Sequence, residues 1–215
     1  MGIVVRAVFS FLSAVLLACT LHAQQLPKTA ASSPPQISAP EPGTITNGLY
    51  RNSFFGFTYK LPFGWVDRTR EMSEDSTADS NAPRRSILLL AVFERPPEVS
   101  GDAVNSAVVV AAESASSYPG LRNAEQYFGP LTELTKSKGL KVVNEPYDYP
   151  IGATQLVRGD FSKPLGNLFM HQSTLVMLDK GYVVSFTFIG GSEDEVDELV
   201  EGLSFVIKEK PGPRK

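Results

Sequence analysis

The chain has 215 residues, of which 42% are hydrophobic and 20% charged, with a formal net charge of −3 and a pI near 5.5. This length and composition are typical of one globular domain with tails. The acidic balance argues against binding to nucleic acid, which depends on clustered Lys and Arg, and the single cysteine, Cys19, excludes an intramolecular disulfide.

The first 23 residues have the layout of a secretory signal peptide. Arg6 precedes an apolar run over residues 7–17, which is too short for a permanent membrane span of about 20 residues. Two processing sites compete: cleavage after Ala23, where small residues favour signal peptidase, and lipidation of Cys19 in "LLAC", which resembles a bacterial lipobox. Both predict export to the periplasm or the extracellular space, and the second adds a lipid anchor as the only membrane contact.

Residues 24–46 form a segment rich in Pro, Ser and Ala that contains no aromatic residue. Such a segment cannot bury enough apolar area to offset its ordering entropy, so a linker is predicted. One folded domain is expected over residues 47–208, followed by a basic tail over residues 209–215.

The stretch FFGFTYKLPFGWV, residues 54–66, contains six aromatic residues. A period of two predicts a strand here that buries every second side chain: Phe55, Phe57, Tyr59 and Leu61. The Pro-x-Gly corner that follows ends the strand and folds Trp65 back. Most of the rings are therefore predicted to lie in the core, while Phe54 and Phe63 are candidates for an exposed, ligand-binding aromatic platform.

The middle of the chain alternates polar and apolar segments. Residues 71–85 are predicted to form a long solvated loop, and the apolar runs 86–94 and 105–114 are predicted to be strands. A helical period then begins near Ala124 and stops at Gly139, with Pro130 inside it. Its apolar positions are Ala124, Tyr127, Phe128, Leu131 and Leu134.

Four strands and a closing helix are predicted in the last third of the chain. The strands fall in residues 141–152, 153–162, 168–179 and 180–191. The last two meet in a tight hairpin around Lys180. Ser192 and Glu195 form a capping box, which begins a helix that ends near Phe205. Its apolar stripe comprises Val196, Leu199, Val200 and Leu203.

Few of the residues needed for catalysis or metal binding are present. The sequence has no G-x-G-x-x-G, Walker A, H-E-x-x-H or G-x-S-x-G motif. After removal of the leader, His171 is the only histidine and no cysteine remains, so neither a metal site nor a cofactor is predicted. We expect His171 to be a half-buried strand residue with a hydrogen-bond partner rather than a catalytic base.

Paired carboxylates are the one catalytic chemistry that the sequence leaves open, because any two acids can converge in space. Asp67, Asp148 and Asp160 are the candidates, and none has a distinctive spacing. Arg158 lies two residues before Asp160 and hence on the same strand face, which favours a structural ion pair. The aromatic-flanked "PYDYP", residues 146–150, could line a groove.

The stretch "FGFTYKLPFGW", residues 55–65, followed later by "GYVVSFTF" and the helix at Ser192, resembles the PsbP-like family. That family includes the extrinsic P subunit of photosystem II and small exported bacterial proteins. The resemblance covers about residues 47–207 and implies an α+β fold, in which an antiparallel-rich central sheet is flanked by helices as an α/β/α sandwich. It also implies a binding or assembly role rather than catalysis.

The sequence thus predicts an exported, non-catalytic binding or assembly-accessory module of the bacterial envelope. Its expected partner is an envelope or extracellular protein, because a sheet flanked by two helices leaves a face or an edge free. The alternative is a carboxylate-dependent hydrolase, for which two of the three candidate acids would have to share one cleft within about 5–10 Å.

Overall fold

In the computed structural model of the chain, residues 40–78, 86–99 and 102–205 are described. The predicted leader with Cys19, most of the predicted linker and the basic tail lie outside these ranges. Within them, no helix has both the length and the apolar character that a membrane crossing requires.

The described elements, in chain order, are β1 (Thr44–Thr46), β2 (Leu49–Asn52), β3 (Phe57–Lys60), β4 (Val66–Asp67), α1 (Thr69–Ala78), β5 (Ser86–Phe93), β6 (Ala107–Ser114), a 3₁₀ turn (Ala115–Ser117), α2 (Ala124–Ser137), β7 (Lys141–Asp148), β8 (Val157–Leu165), β9 (Leu168–Asp179), β10 (Tyr182–Gly190), α3 (Glu193–Glu201) and β11 (Leu203–Phe205). Strand β1 begins three residues before the predicted start of the domain at residue 47. It pairs with β2, so the folded region includes the end of the predicted linker.

The strands form two antiparallel sheets. The smaller has the order β1-β2-β3-β11, and the larger has the order β4-β5-β6-β10-β9-β8-β7. Helix α2 packs on one face of the larger sheet, where Phe128 contacts a cluster with Phe161 and Val176. Helix α3 and the smaller sheet cover the other face, where Phe57 and Val196 join a cluster with Phe186. The predicted α+β class, an antiparallel sheet between helices, is confirmed.

The apolar set of the aromatic segment lies in the core as predicted, but the alternation is incomplete, because Thr58 is buried as well. Phe55, Phe57 and Tyr59 are at most 5% exposed, and Leu61 is half-buried. The ring of Phe57 meets that of Phe186 edge-on at 4.9 Å between centroids. The strand is shorter than predicted, because residues 53–56 form a turn before it.

Part of the predicted loop over residues 71–85 is a helix, so the loop prediction is wrong for residues 71–78. Helix α1 begins at Thr69, whose backbone N–H donates to Asp67 Oδ1 at 2.9 Å. The helix carries no apolar stripe, and its polar sequence therefore shows no helical period. Residues 79–85 lie outside the described ranges.

Helix α2 begins and ends where the sequence predicts, but one of its expected core positions is wrong. Asn123 caps it by accepting a hydrogen bond from Gln126 N at 3.0 Å, and Gly139 ends it with φ of +84°. Leu134 is 53% exposed, whereas its neighbour Thr135 is buried. The Thr135 hydroxyl donates to the Leu131 carbonyl at 3.0 Å, which satisfies its polar atom inside the core.

Helix α3 is capped by Ser192, whose hydroxyl accepts from Glu195 N at 3.1 Å. In a capping box the Glu195 carboxylate would accept from Ser192 N. Here it accepts instead from Gly191 N, one residue earlier, at 2.8 Å. The helix ends at Glu201 rather than near Phe205. Leu203 is buried as predicted, but it lies in β11 opposite Tyr59, because the chain here completes the smaller sheet.

Replacement of Ser192 by alanine is expected to lower the free energy of unfolding by about 1 kcal/mol, because the N–H of Glu195 loses its acceptor. Urea denaturation measures the change. Ser192→Asp keeps an acceptor at the cap and should remain within about 0.5 kcal/mol of the wild type. Equal losses in the two variants would contradict a capping role.

Candidate functional site

An open cleft lies on the α3 face of the larger sheet, near the edge formed by β7. Its volume is about 310 Å³. Strand β8 supplies Arg158 and Asp160 to it, β7 supplies Tyr147, and α3 supplies Glu193 and Asp197. Helix α3 packs on β9 and β10, and the cleft lies beside it, over β7 and β8.

Arg158 and Asp160 form a buried ion pair in the cleft. Their side chains are 9% and 11% exposed, and Arg158 Nε donates to Asp160 Oδ1 at 2.8 Å. Both also contact the Ser173 hydroxyl on the neighbouring strand. Arg158 Nη2 donates in addition to Asp197 Oδ1 at 2.6 Å, which ties α3 to the sheet. The predicted structural ion pair is confirmed, with three strand residues and one helix residue sharing it.

The charged state of the pair is fixed by these contacts. Burial by itself would raise the pKa of Asp160, but hydrogen bonds from Ser173 and Arg158 outweigh it and lower that pKa below its ordinary value. For Arg158, burial acts to lower the pKa, and the bonds to Asp160 and Asp197 raise it overall. Both groups are therefore charged throughout the physiological pH range.

Strand β7 closes one side of the cleft with polar and aromatic side chains. Asn144 Nδ2 and the Tyr147 hydroxyl donate to Asp160 Oδ2 at 3.0 and 3.2 Å. Burial, together with the neighbouring charge of Asp160, raises the pKa of Tyr147 to about 12 and keeps this donor protonated. The Tyr149 ring lies 5.1 Å from the Arg158 guanidinium carbon, a cation–π contact.

His171 and Glu193 lie in the part of the cleft formed by β9 and the start of α3. Nδ1 of the half-buried His171 is 3.7 Å from Glu193 Oε1, an ion-pair distance when the imidazole is protonated. His171 is thus a half-buried strand residue, as the sequence predicts, but this contact is longer than the predicted hydrogen bond. Across the described ranges, no group of three His, Cys, Asp or Glu side chains is placed to hold a metal ion.

The candidate acids do not converge. Asp67 is on edge strand β4, five strand spacings from β8 and hence about 24 Å from Asp160. Asp148 is exposed and faces away from the cleft, whereas its neighbours Tyr147 and Tyr149 line it. Asp160 and Asp197 are close, but one guanidinium binds both, and the lowered pKa of Asp160 is the opposite of what a general acid requires. The geometry therefore offers no support for a hydrolase.

The two aromatic candidates differ in their surroundings. Phe54 is half-buried and packs on Phe55 at 4.8 Å, and Lys180 Nζ lies 4.8 Å from the centre of its ring. Phe63 is fully exposed at the corner after β3. Neither lines the cleft, so the structure does not assemble an aromatic platform from them.

Several cleft residues are not among the candidates that the sequence gives. Asp197 and Glu193 belong to the acidic sequence of helix α3. Their spacing of four residues beside the buried Val196 is the signal that could have identified them, since it places both on the side of α3 that meets the sheet. Nothing in the sequence distinguishes Asn144 or Ser173, whose roles depend on strand register.

No model of a known protein family matches the chain, and no curated protein matches it. Among solved structures it is similar to cyanobacterial PsbP (CyanoP) from Synechocystis sp. PCC 6803, with 14% identity, a TM-score of 0.45, and coverage of 74% of this chain and 91% of that one. It is also similar to PA94 from Pseudomonas aeruginosa, a protein of unknown function, with 14% identity, a TM-score of 0.36, and coverage of 71% and 88%.

A third similar structure is LpqN of Mycobacterium tuberculosis, which is involved in cell envelope biogenesis. Its identity is 11% and its TM-score 0.31, and the match covers 60% of this chain and 82% of that one. A PsbP protein, from the family that the sequence resembles, is thus among the structural matches. This likeness says nothing about what this chain binds.

Proposed function

We propose that the protein is an exported, non-catalytic binding module of the bacterial envelope that takes a basic side chain of a protein partner into this cleft. Export is supported by the leader pattern over residues 1–23. The observation that carries the binding role is the cleft itself, in which a buried hydrogen-bonded network holds exposed polar and aromatic groups in place.

The charge of the cleft indicates the kind of group that it accepts. Apart from the imidazole of His171, Arg158 is the one cationic side chain among the lining residues, and it is already bound to Asp160 and Asp197. With Glu193, which is 70% exposed, the lining carries three carboxylates for one guanidinium. Such a surface attracts a cation and repels an anion.

The aromatic wall adds a second contact for such a group. Tyr147 is 39% exposed and is held by its bond to Asp160, so it loses little side-chain entropy on binding. A Lys or Arg side chain that lies between this ring and Glu193 would combine a cation–π contact with an ion pair. The hydrolase alternative has no comparable support, because Asp67 and Asp148 do not line the cleft and Asp160 is paired with Arg158.

Affinity capture from the envelope fraction, analysed by mass spectrometry, tests this function. We expect the wild type to retain a stoichiometric protein partner, and Tyr147→Ala or Glu193→Gln to weaken its capture about tenfold or more. Glu198→Gln is the matched control, since it makes the same charge change on the exposed face of α3. The same data identify the mature N-terminus as Gln24 or an acylated Cys19.

Two outcomes would contradict the proposal in different ways. A protein that is free in the soluble exported fraction, without a partner, would exclude an assembly role. A partner that both cleft variants retain as well as the Glu198→Gln control would show that binding occurs elsewhere on the surface.

A further inference from the structure

The hairpin formed by β8 and β9 protrudes from the larger sheet. On β8, Ser162 is the residue nearest the hairpin tip that pairs with β7. On β9, His171 is the residue nearest the tip that pairs with β10. Residues 163–170 therefore pair only with one another. Beyond Ser162 the two strands form three more residue pairs. At about 3.4 Å per pair, the tip extends about 10 Å past the neighbouring strands.

The tip of this hairpin is apolar on both of its faces. Leu165 and Leu168 are opposite each other and 42% and 40% exposed, and Phe169, on the other face, is 57% exposed. Gly166, with φ of +62°, allows the tight turn between them. No described element covers these side chains.

Lysines lie beside the hairpin, on its α2 and β7 side. The C-terminal end of α2 lies beside the hairpin, because Lys163 Nζ donates to the Lys138 carbonyl at 2.7 Å. Residues 134–141 and 162–170 together contain four lysines and no Asp or Glu, although the whole chain has a net charge of −3. Glu133 is the first acid beyond these ranges on α2. We call residues 134–141 and 162–170 the basic hairpin surface; its lysines are Lys136, Lys138, Lys141 and Lys163.

We propose that the basic hairpin surface docks on an anionic phospholipid membrane, with Leu165, Leu168 and Phe169 inserted among the headgroups. The protrusion of about 10 Å matches the depth of about 5–10 Å to which interfacial segments bury apolar side chains. Lysines near such a surface are attracted by anionic lipids. At protein–protein interfaces, by contrast, lysine is depleted, which favours lipid over protein as the occupant. This surface is separate from the cleft, and its role does not depend on the proposed partner.

Co-sedimentation with vesicles tests the proposal. The exported chain without its predicted leader, from Gln24 onward, is mixed with phosphatidylcholine vesicles that contain about one-third phosphatidylglycerol, and with vesicles of phosphatidylcholine alone. We expect binding to the anionic vesicles only, and a loss of at least about tenfold in Phe169→Glu. Phe63→Glu is the matched control, because it makes the same change at a fully exposed phenylalanine outside the basic hairpin surface.

The contribution of the lysines to vesicle binding is measured separately. Replacing the exposed Lys136 and Lys141 by Gln should weaken binding about fivefold for each lysine, and about 1 M salt should abolish most of it, since the Debye length falls to about 3 Å. Equal binding to neutral vesicles would overturn the proposal, as would equal losses in Phe63→Glu and Phe169→Glu. Capture of a protein partner that depends on Phe169, without vesicle binding, would assign the surface to a protein instead.

Discussion

Replacement of Asp160 by alanine is expected to lower the free energy of unfolding by about 3–5 kcal/mol. The substitution leaves the Arg158 guanidinium, with only 9% of its side chain exposed, without its main counter-ion. Ser173, Asn144 and Tyr147 lose an acceptor as well. A buried charge and buried donors without partners cost their full desolvation free energy. Urea denaturation at neutral pH measures the loss.

Asp197→Ala is the matched control, because it removes the other carboxylate from the same guanidinium. Asp197 is 57% exposed, so water replaces it and the expected loss is about 1 kcal/mol or less. The double variant Asp160→Ala with Arg158→Met should recover part of the stability, since it leaves no unpaired charge. Equal losses for Asp160→Ala and Asp197→Ala would contradict the central position of Asp160.

The pH dependence of the stability difference between the wild type and Asp160→Ala tests the direction of the pKa shift of Asp160. Because the folded-state pKa of Asp160 lies below its ordinary value of 3.8, its stabilising effect is fully present above that value. The effect is lost as the pH falls through the lowered folded-state pKa. The stability difference between the wild type and Asp160→Ala should therefore be constant near neutrality and should narrow only in strong acid. A difference that narrows between pH values of about 5 and 7 would contradict the lowered pKa.

Phe57→Ala is expected to cost about 3–5 kcal/mol of unfolding free energy, because it leaves a cavity between the two sheets. Phe57 is 0% exposed and its ring contacts those of Tyr50, Phe186 and Phe205. The side chains of the smaller sheet can relax only a little toward such a gap. Chemical denaturation of the purified variant measures the loss.

Phe63→Ala is the control from the same aromatic segment. Its ring is fully exposed, so the substitution should change the unfolding free energy by no more than about 0.5 kcal/mol. Similar effects for Phe57→Ala and Phe63→Ala would show that the alternation in this segment does not separate core from surface.

Helix ends and strand alternation were predictable because they depend on local chemistry. The predicted cap Ser192 accepts from a residue three positions away, and the predicted stop Gly139 has the positive φ that ends a helix. The period of two places Phe57 and Tyr59 in the core where β3 pairs, and Phe55 is buried in the turn before it. Helix α1 was missed, since it is polar and has no apolar stripe, and its start depends on Asp67 at the end of β4.

The candidate site was only partly predictable, because only part of it depends on residues that are close in sequence. Arg158 and Asp160 are two residues apart on one strand, so their ion pair followed from sequence alone. Asn144, Ser173 and Asp197 reach the pair from two other strands and a helix, 13 to 39 residues away along the chain. Their meeting depends on the register of β7 and β9 against β8, which no local pattern encodes.

The sequence by itself thus determined the buried apolar set of the aromatic segment, the cap of α3 and the end of α2, because each follows from neighbouring residues. Its PsbP-like resemblance implied the α+β class. The tertiary structure alone decided which polar residues surround the cleft and which acids stay apart. It also decided that lysines from α2, β7 and β8 lie beside one apolar hairpin. These features need long-range pairing, in which residues distant in sequence become neighbours only after the sheet has formed.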